Sequence, residues 1–484
     1  MGRALERIRR PLRLLALGAL ALAGCRVGPE YCRPGVSTPE AFRDGPLAAS
    51  GPSVADLPWW SVFHDAALQG LLREAVENNH DLAIAMARVE EARASAGVAR
   101  ADRYPQIDGT FDASRARASR FLQPSGGREQ SDFRAAIGAS WELDLWGRIR
   151  RGEEAALAEY VGSEEGRRAA LVTLVGDVAA AYFELRELDM ELEITKATRD
   201  TRRRTSDLFT KRLEGGMSSK LETAQASADL AAAAAAIPDI ERLIAQKEHE
   251  ISLLLGRNPG PIARGTALSD TALPPDVPAG LPSSLLERRP DVRAAEAGVI
   301  AANARIGVAE AEFSPKVSLT GLLGLESRDL SDLANEKATI ASLGAGLVAP
   351  IFHGGRLAAS RRLAVAQWEE AVARYRKAAQ SAFRDVADQL IAVRKLKEIR
   401  AELEREVAAL ADSLSLATTR YEGGLSAYFE VLDSQRRLFP AQIELARTRR
   451  DQHVALVFLY RALGGGWQEQ ACAVAPGAGV RVSK

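Results

Sequence analysis

Asp132-Phe-Arg-Ala-Ala-Ile-Gly-Ala-Ser-Trp-Glu-Leu-Asp-Leu145 decides the fold. Phe133, Ala135, Ile137, Ala139, Trp141, Leu143 and Leu145 alternate with Asp132, Arg134, Ala136, Gly138, Ser140, Glu142 and Asp144. Strict period two over this length predicts a strand with one greasy and one wet face. A second segment repeats the pattern more loosely. Val317, Leu319, Gly321, Leu323 and Leu325 alternate with Lys316, Ser318, Thr320 and Glu326. Weaker partner strands fall near 106–118 and 338–352, giving hairpins over about 106–146 and 315–352. Membrane-crossing strands need roughly 9–11 residues, which these segments supply. A soluble two-hairpin sheet is the alternative at this point.

Each hairpin leads into a very long helical run. One begins near Arg148 and ends at Gly215-Gly216; the other runs from about Arg356 to Gly423-Gly424. At 1.5 Å per residue, some 65 residues span about 100 Å. Leu171, Leu174, Val178, Tyr182, Leu185, Leu188 and Leu192 step by three and four, as do Phe383, Val386, Leu390, Val393, Leu396 and Ile399. That spacing predicts coiled-coil-like helices, and the abundant alanine lets them approach closely. A shorter helix follows each Gly-Gly turn, and Pro238 is expected to kink or interrupt the first of these.

The chain is duplicated. Arg212-Leu-Glu-Gly-Gly-Met-Ser218 matches Arg420-Tyr-Glu-Gly-Gly-Leu-Ser426, and Trp146-Gly147-Arg148 matches Gly354-Gly355-Arg356, both at an offset of 208. Tyr104-Pro105 matches Ser314-Pro315, and His80-Asp81-Leu82 matches Pro290-Asp291-Val292, at an offset of 210. An offset that stays within two residues over such lengths marks two structural repeats. They are assigned to 65–272, with its turn at 214–218, and 284–466, with its turn at 422–426. The Pro-rich segment 273–283 joins them, and a tail covers 467–484.

The N-terminus reads as an address. Arg3, Arg7, Arg9, Arg10 and Arg13 precede an apolar run from Leu14 to Gly24, too short to span a bilayer and suited to a signal h-region. Leu22-Ala23-Gly24-Cys25 resembles a bacterial lipobox, which implies removal of 1–24 and acylation of Cys25. Residues 25–64 then form an anchored, extended lead-in. Arg26 at the next position is not aspartate, which in enteric lipoproteins directs the chain to the outer membrane.

Composition narrows the function. The 484 residues carry 64 Lys+Arg against 64 Asp+Glu, so no basic excess favours nucleic acid. Three cysteines make no disulfide framework; Cys32 and Cys472 could pair in an oxidising compartment, or stay as thiols. The five histidines show no metal-ligand spacing. No GxSxG, HExxH, P-loop or dinucleotide fingerprint occurs, so no enzyme is expected. Four strands cannot close a transmembrane barrel, for which about eight are needed, and lipid does not tolerate open edges. Several copies must therefore share one barrel, so a homo-oligomer is expected.

These marks together resemble the TolC-like outer membrane factor (outer membrane efflux protein) family, in its NodT/OprM-like lipoprotein branch. The resemblance rests on the lipobox, Val27-Gly-Pro-Glu-Tyr31, Pro58-Trp-Trp60 and Asn79-His-Asp-Leu82. It continues through Trp141-Glu-Leu-Asp-Leu-Trp-Gly-Arg148, Leu286-Glu-Arg-Arg-Pro-Asp-Val292, Pro350-Ile-Phe352, Tyr421-Glu-Gly-Gly424 and Ala462-Leu-Gly-Gly-Gly-Trp467. It implies a mainly α chain with a membrane β-barrel. Three protomers would each give four strands to a twelve-stranded barrel and long helices to a trimeric α-barrel. The implied function is the outer-membrane channel of a tripartite efflux pump, a passive duct for drugs or other small molecules. Its partners would be a periplasmic adaptor (membrane fusion) protein, an inner-membrane RND-type transporter and outer-membrane lipid. No cofactor or metal is implied beyond lipid on Cys25, as diacylglycerol and N-palmitate.

The family's periplasmic gate maps onto the Gly-Gly turns. Glu430 and Asp433 match its pair of aperture acids, and Glu222 stands at the position of Glu430 in the first repeat. Leu425 and Leu432 are candidate constriction residues. Arg212 and Arg420, with Gly215, Gly216, Gly423 and Gly424, are candidates for tip ion pairs or adaptor contact. A solvated coiled-coil face is the alternative for the acids, and plain helix C-terminal cations for the arginines. A type I secretion outlet of the same fold, or a lipid-anchored coiled-coil adaptor, are the rival functions. Trp141 is expected in an interfacial girdle, and Trp59 and Trp60 as packing anchors.

Overall fold

A computed structural model describes residues 26–39, 42, 65–117, 129–271 and 284–465. Cys25 with the signal segment, Trp59, Trp60, the Pro-rich linker and Cys472 lie outside them. The chain divides into two compact units.

The first unit takes the chain up to Gly35 with Arg88–Glu164 and Ala294–Arg376. It holds one antiparallel sheet in the order β1 (Gln106–Arg117), β2 (Glu129–Leu143), β3 (Lys316–Ser327), β4 (Thr339–Val348). Each strand pairs with its neighbour in sequence, so β2 and β3 join the two repeats directly.

The register sorts the faces. Ile137 stands opposite Leu323, Trp141 opposite Leu319, and Val317 opposite Leu347. The alternate positions are polar: Asp112 faces Arg134, Ser140 faces Thr320, and Ser318 faces Gly346. Because side chains alternate along each strand, one surface of the sheet is apolar over most of its length and turns polar at the end marked by the Arg115–Glu129 ion pair. Phe111, Ile137, Leu323, Leu343 and Leu347 stand exposed on it, Leu343 at 90%. So much bare apolar surface needs a non-aqueous cover. β1 and β4 remain as unpaired edges.

The second unit comprises Val36–Ala87, Glu165–Arg293 and the chain from Lys377. Its helices come in matched pairs, some of which also feed the first unit. α1 (Ala66–Asn78) precedes α2 (His80–Ala101), and the one-turn α5 (Leu285–Arg288) precedes α6 (Pro290–Ala311). α3 (Arg148–Glu214) and α7 (Arg356–Glu422) each have 67 residues; α4 (Lys220–Leu254) and α8 (Tyr428–Ala462) each have 35. α4 runs through Pro238 without a break, against the interruption expected there, and α8 runs through Pro440 likewise. Proline removes one intrahelical hydrogen bond, and the helix continues on both sides of it.

The apolar stripe of α3 makes the main core of this unit. Val178, Tyr182 and Leu185 are fully buried against Leu68 and Leu72 of α1 and Ile251 of α4. Asp65 fixes the entry: its carboxylate caps α1 by accepting from the amides of Ala67 and Leu68, and also accepts from the Tyr182 hydroxyl at 2.9 Å. A second cluster sets Val386 and Leu390 of α7 against Leu285 and Leu459.

Candidate functional site

The turns that end α3 and α7 are built alike. Gly216 donates to the Leu213 carbonyl at 3.0 Å and Met217 to that of Arg212 at 2.7 Å. In the second repeat Gly424 donates to Tyr421 at 3.0 Å and Leu425 to Arg420 at 2.8 Å. This pair of bonds is the Schellman motif, which needs a left-handed residue just past the helix. Gly216 (φ 73°) and Gly424 (φ 68°) supply it, so glycine is required there by conformation. Gly215 and Gly423 do not adopt positive φ.

Beneath the turns lies a small apolar core. Phe209 of α3 meets Tyr428 of α8 edge-on, with ring centroids 4.4 Å apart, and Tyr421 of α7 stands 5.4 Å from Tyr428. Val431 and Leu432 complete the cluster. Leu432 is 5% exposed, so it packs inside the protomer and cannot line an aperture. The constriction assignment for Leu432 is corrected on that ground: its place on α8 turns it toward Phe209 and Ala417. Leu425, on the turn itself, is 75% exposed.

Polar contacts surround this core. Arg212 donates to the Tyr421 hydroxyl and lies over its ring at 5.1 Å, tying the end of α3 to the end of α7. Arg420 stands 3.6 Å from Glu430, and Arg437 stands 3.0 Å from Asp433, one helical turn away. Arg436 of α8 pairs with Asp229 of α4 at 3.2 Å. Glu222 closes a capping box instead: its carboxylate accepts from the Ser219 amide and the Ser218 hydroxyl, each at 2.9 Å. Those bonds hold its pKa below the usual carboxylate range, the backbone bond most of all. The sequence did not single out Tyr421, Tyr428 and Phe209 as a unit. Their signal was three aromatics flanking glycine turns in a chain where aromatics are only 6%.

The N-terminal strap is the other organised region, within the first unit. Val27 donates to the Trp146 carbonyl at 3.1 Å. Arg151, 1% exposed, donates to the carbonyls of Val27, Gly28 and Pro29 at 3.1–3.3 Å. Gly28 (φ 101°) passes so close to Gly307 that a β-carbon would meet its Cα at 2.4 Å. The chain immediately after Cys25 is thus fixed beside the ends of the strands. Cys32 is exposed and forms no disulfide among the described residues. Trp141, on the apolar face of β2, donates its indole N–H to the Arg103 carbonyl at 2.9 Å. No cluster of three or more metal-ligating side chains occurs among the described residues.

The profile of the family described as "Outer membrane efflux protein" matches residues 71–257 and 281–465, one match per repeat. The chain belongs to the outer membrane efflux protein family. It is 38% identical over 465 residues to the solvent efflux pump outer membrane protein SrpC of Pseudomonas putida, covering 93% of this chain and 97% of that one. It is 34% identical to the cation efflux system protein CusC of an Escherichia coli strain, covering 93% and 98%. The crystal structure of the open state of the MtrE outer membrane channel of Neisseria gonorrhoeae superposes with a TM-score of 0.84 at 31% identity, covering 92% of this chain and 99% of MtrE. This outer membrane efflux protein is therefore an outer-membrane duct of an efflux pump that extends into the periplasm.

Proposed function

We propose that three copies of the chain close one twelve-stranded barrel and act as the passive exit duct of a tripartite pump for drugs or other small organic molecules. The strand count carries this reading. Four strands with two open edges cannot seal themselves in lipid, where about eight are the minimum. The duct opens and closes at the periplasmic ends of α3, α4, α7 and α8. Arg212 with Tyr421 and Arg420 with Glu430 hold those ends together, while Glu430 and Asp433 place acidic side chains at the aperture with Leu425 exposed beside them. A periplasmic adaptor engages the Gly-Gly turns, and an inner-membrane RND-type transporter supplies the energy. Lipid on Cys25, as diacylglycerol and N-palmitate, anchors the strap. The chain performs no chemistry of its own. Relatives named for solvent and cation efflux support a pump duct over a secretion outlet.

Single-channel conductance in planar bilayers tests the gate. Wild type is expected to conduct little and to favour cations. Glu430→Ala/Asp433→Ala is expected to lose the cation preference and to conduct more. An unchanged double variant would remove these acids from the gate while leaving the duct in place.

A further inference from the structure

In the second unit α3 and α8 share a seam that is filled at both ends. At one end Phe183 stacks on His453 with centroids 4.6 Å apart. Glu187 with Arg450 at 3.5 Å and Glu191 with Arg447 at 3.0 Å follow. At the other end Phe209 meets Tyr428. Between these layers α3 turns Ala197, Thr198 and Thr201 toward the seam, shorter side chains than those on either side. A groove of about 400 Å³ results, within the size range of small-molecule sites. Ile194, Leu414, Leu438 and Phe439 give it apolar walls, and Gln435 and Gln442 add amides. At the matching positions of the other repeat, Ala231 takes the place of Phe439 and Arg405 that of Ala197. Neither the ring nor the gap is repeated there.

Two charged side chains line the groove, Glu193 and Arg202. Nine residues apart on one helix, they are separated by about 14 Å along its axis. Arg202 is already committed. It donates to the Asp229 carbonyl of α4 at 2.9 Å and lies over the Phe439 ring at 5.8 Å. Glu193 makes no hydrogen bond or ion pair among the described residues. Its carboxylate is therefore the charge left for a ligand, and it calls for a cation. The length between the two charges suits a body of two or three fused rings, for which Leu438 and Phe439 supply the surface.

We propose that this groove binds a drug-sized organic cation with a planar aromatic body, its charge toward Glu193 and its body against Leu414, Leu438 and Phe439. The site rests on the exit-duct reading for the source of its ligand, and it deepens that reading by naming a class of cargo. An exposed carboxylate and one ring hold such a molecule weakly, as a surface that must release its cargo requires.

Fluorescence polarisation of ethidium, titrated with the purified full chain in detergent, tests this, with anilinonaphthalene sulfonate as an anion of similar size. Wild type is expected to bind ethidium more tightly than the anion. Glu193→Gln should weaken ethidium about threefold and leave the anion no weaker. Ala197→Leu fills the groove, keeps both charges and suits an exposed helix position, so it should fold and weaken ethidium about tenfold. Ethidium binding unchanged in both variants overturns the proposal, and so does tighter binding of the anion. Single-channel conductance of the same preparations separates the two readings. A conducting chain whose variants all bind ethidium alike keeps the duct and loses the site. A chain that does not conduct, yet loses ethidium in Ala197→Leu, keeps the site and loses the duct.

Discussion

Glu222 and Glu430 occupy the same place in the two repeats, yet their carboxylates face opposite ways. Glu222 turns back to the start of its own helix and caps it through Ser218 and Ser219. Glu430 leaves its helix and meets Arg420 across the turn at 3.6 Å. The cause is one substitution between the repeats: Ala427 stands where the first repeat has Ser219, and it offers no side-chain cap. Ser426, the counterpart of Ser218, is left with a buried hydroxyl that has no hydrogen-bond partner. The second repeat thus gives up a cap and releases an acid for the turn.

Restoring the hydroxyl should reverse this. Ala427→Ser is expected to draw Glu430 into a capping box and stabilise the start of α8 by about 1 kcal/mol. In bilayers the same variant should conduct more than wild type, because Arg420 loses its partner. A conductance equal to wild type would show that the Arg420–Glu430 contact does not restrain opening. Ser219→Ala should lower thermal stability by a similar amount without raising conductance.

The link between the two long helices separates in the same way. Tyr421→Phe keeps the ring and removes the acceptor, while Arg212→Gln removes the charge from both the hydroxyl and the π-face. With roughly 1 kcal/mol in such a partly exposed contact, Arg212→Gln should raise open-channel events about fivefold. Tyr421→Phe should have the smaller effect. Equal, unchanged records from both would exclude this link from the gate.

The tip core should melt locally when its centre is removed. Phe209 is 1% exposed, and truncating a buried phenylalanine costs about 3–5 kcal/mol. Phe209→Ala is expected to open the Gly-Gly turns to protease while the sheet and the α1 core stay protected. Unchanged cleavage at residues 212–218 and 420–426 would contradict it.

Two buried groups in the second unit give opposite pH responses. Glu187 of α3 is raised to about 7, first by burial and then by the neighbouring Glu191, against Arg450 and Arg447 of α8. Between pH about 4.5 and 7 the folded chain holds a proton there that the unfolded chain releases. Its contribution to stability is therefore whole at low pH and lost as pH rises to 7. His453 is stacked on Phe183 at 4.6 Å and held down at about 4 by burial, with Arg400 adding to the effect. The unfolded chain takes up this proton below about 6.5, so its contribution is lost as pH falls toward 4. Relative to wild type, Glu187→Gln should gain melting temperature as pH rises through 4.5–7. His453→Gln should gain it as pH falls through 6.5–4. Parallel melting curves against pH would refute both assignments.

The sequence by itself determined the elements and their duplication. Period-two alternation in Phe133–Leu145 and the three-four spacing from Leu171 to Leu192 are local consequences of which face must avoid water. The glycine turns were equally legible, because only glycine enters the left-handed conformation at little cost. Tertiary structure decided what those residues touch. Leu432 and Leu425 are both leucines near one turn, yet one is buried and the other bare, since only packing of α8 against α3 and α7 distinguishes them. Glu430 and Glu222 share one sequence position, and their partners differ because a neighbouring hydroxyl is present in one repeat and absent in the other. The clasp of Arg151 on Val27, Gly28 and Pro29 joins residues over 120 positions apart, a distance at which periodicity carries no information.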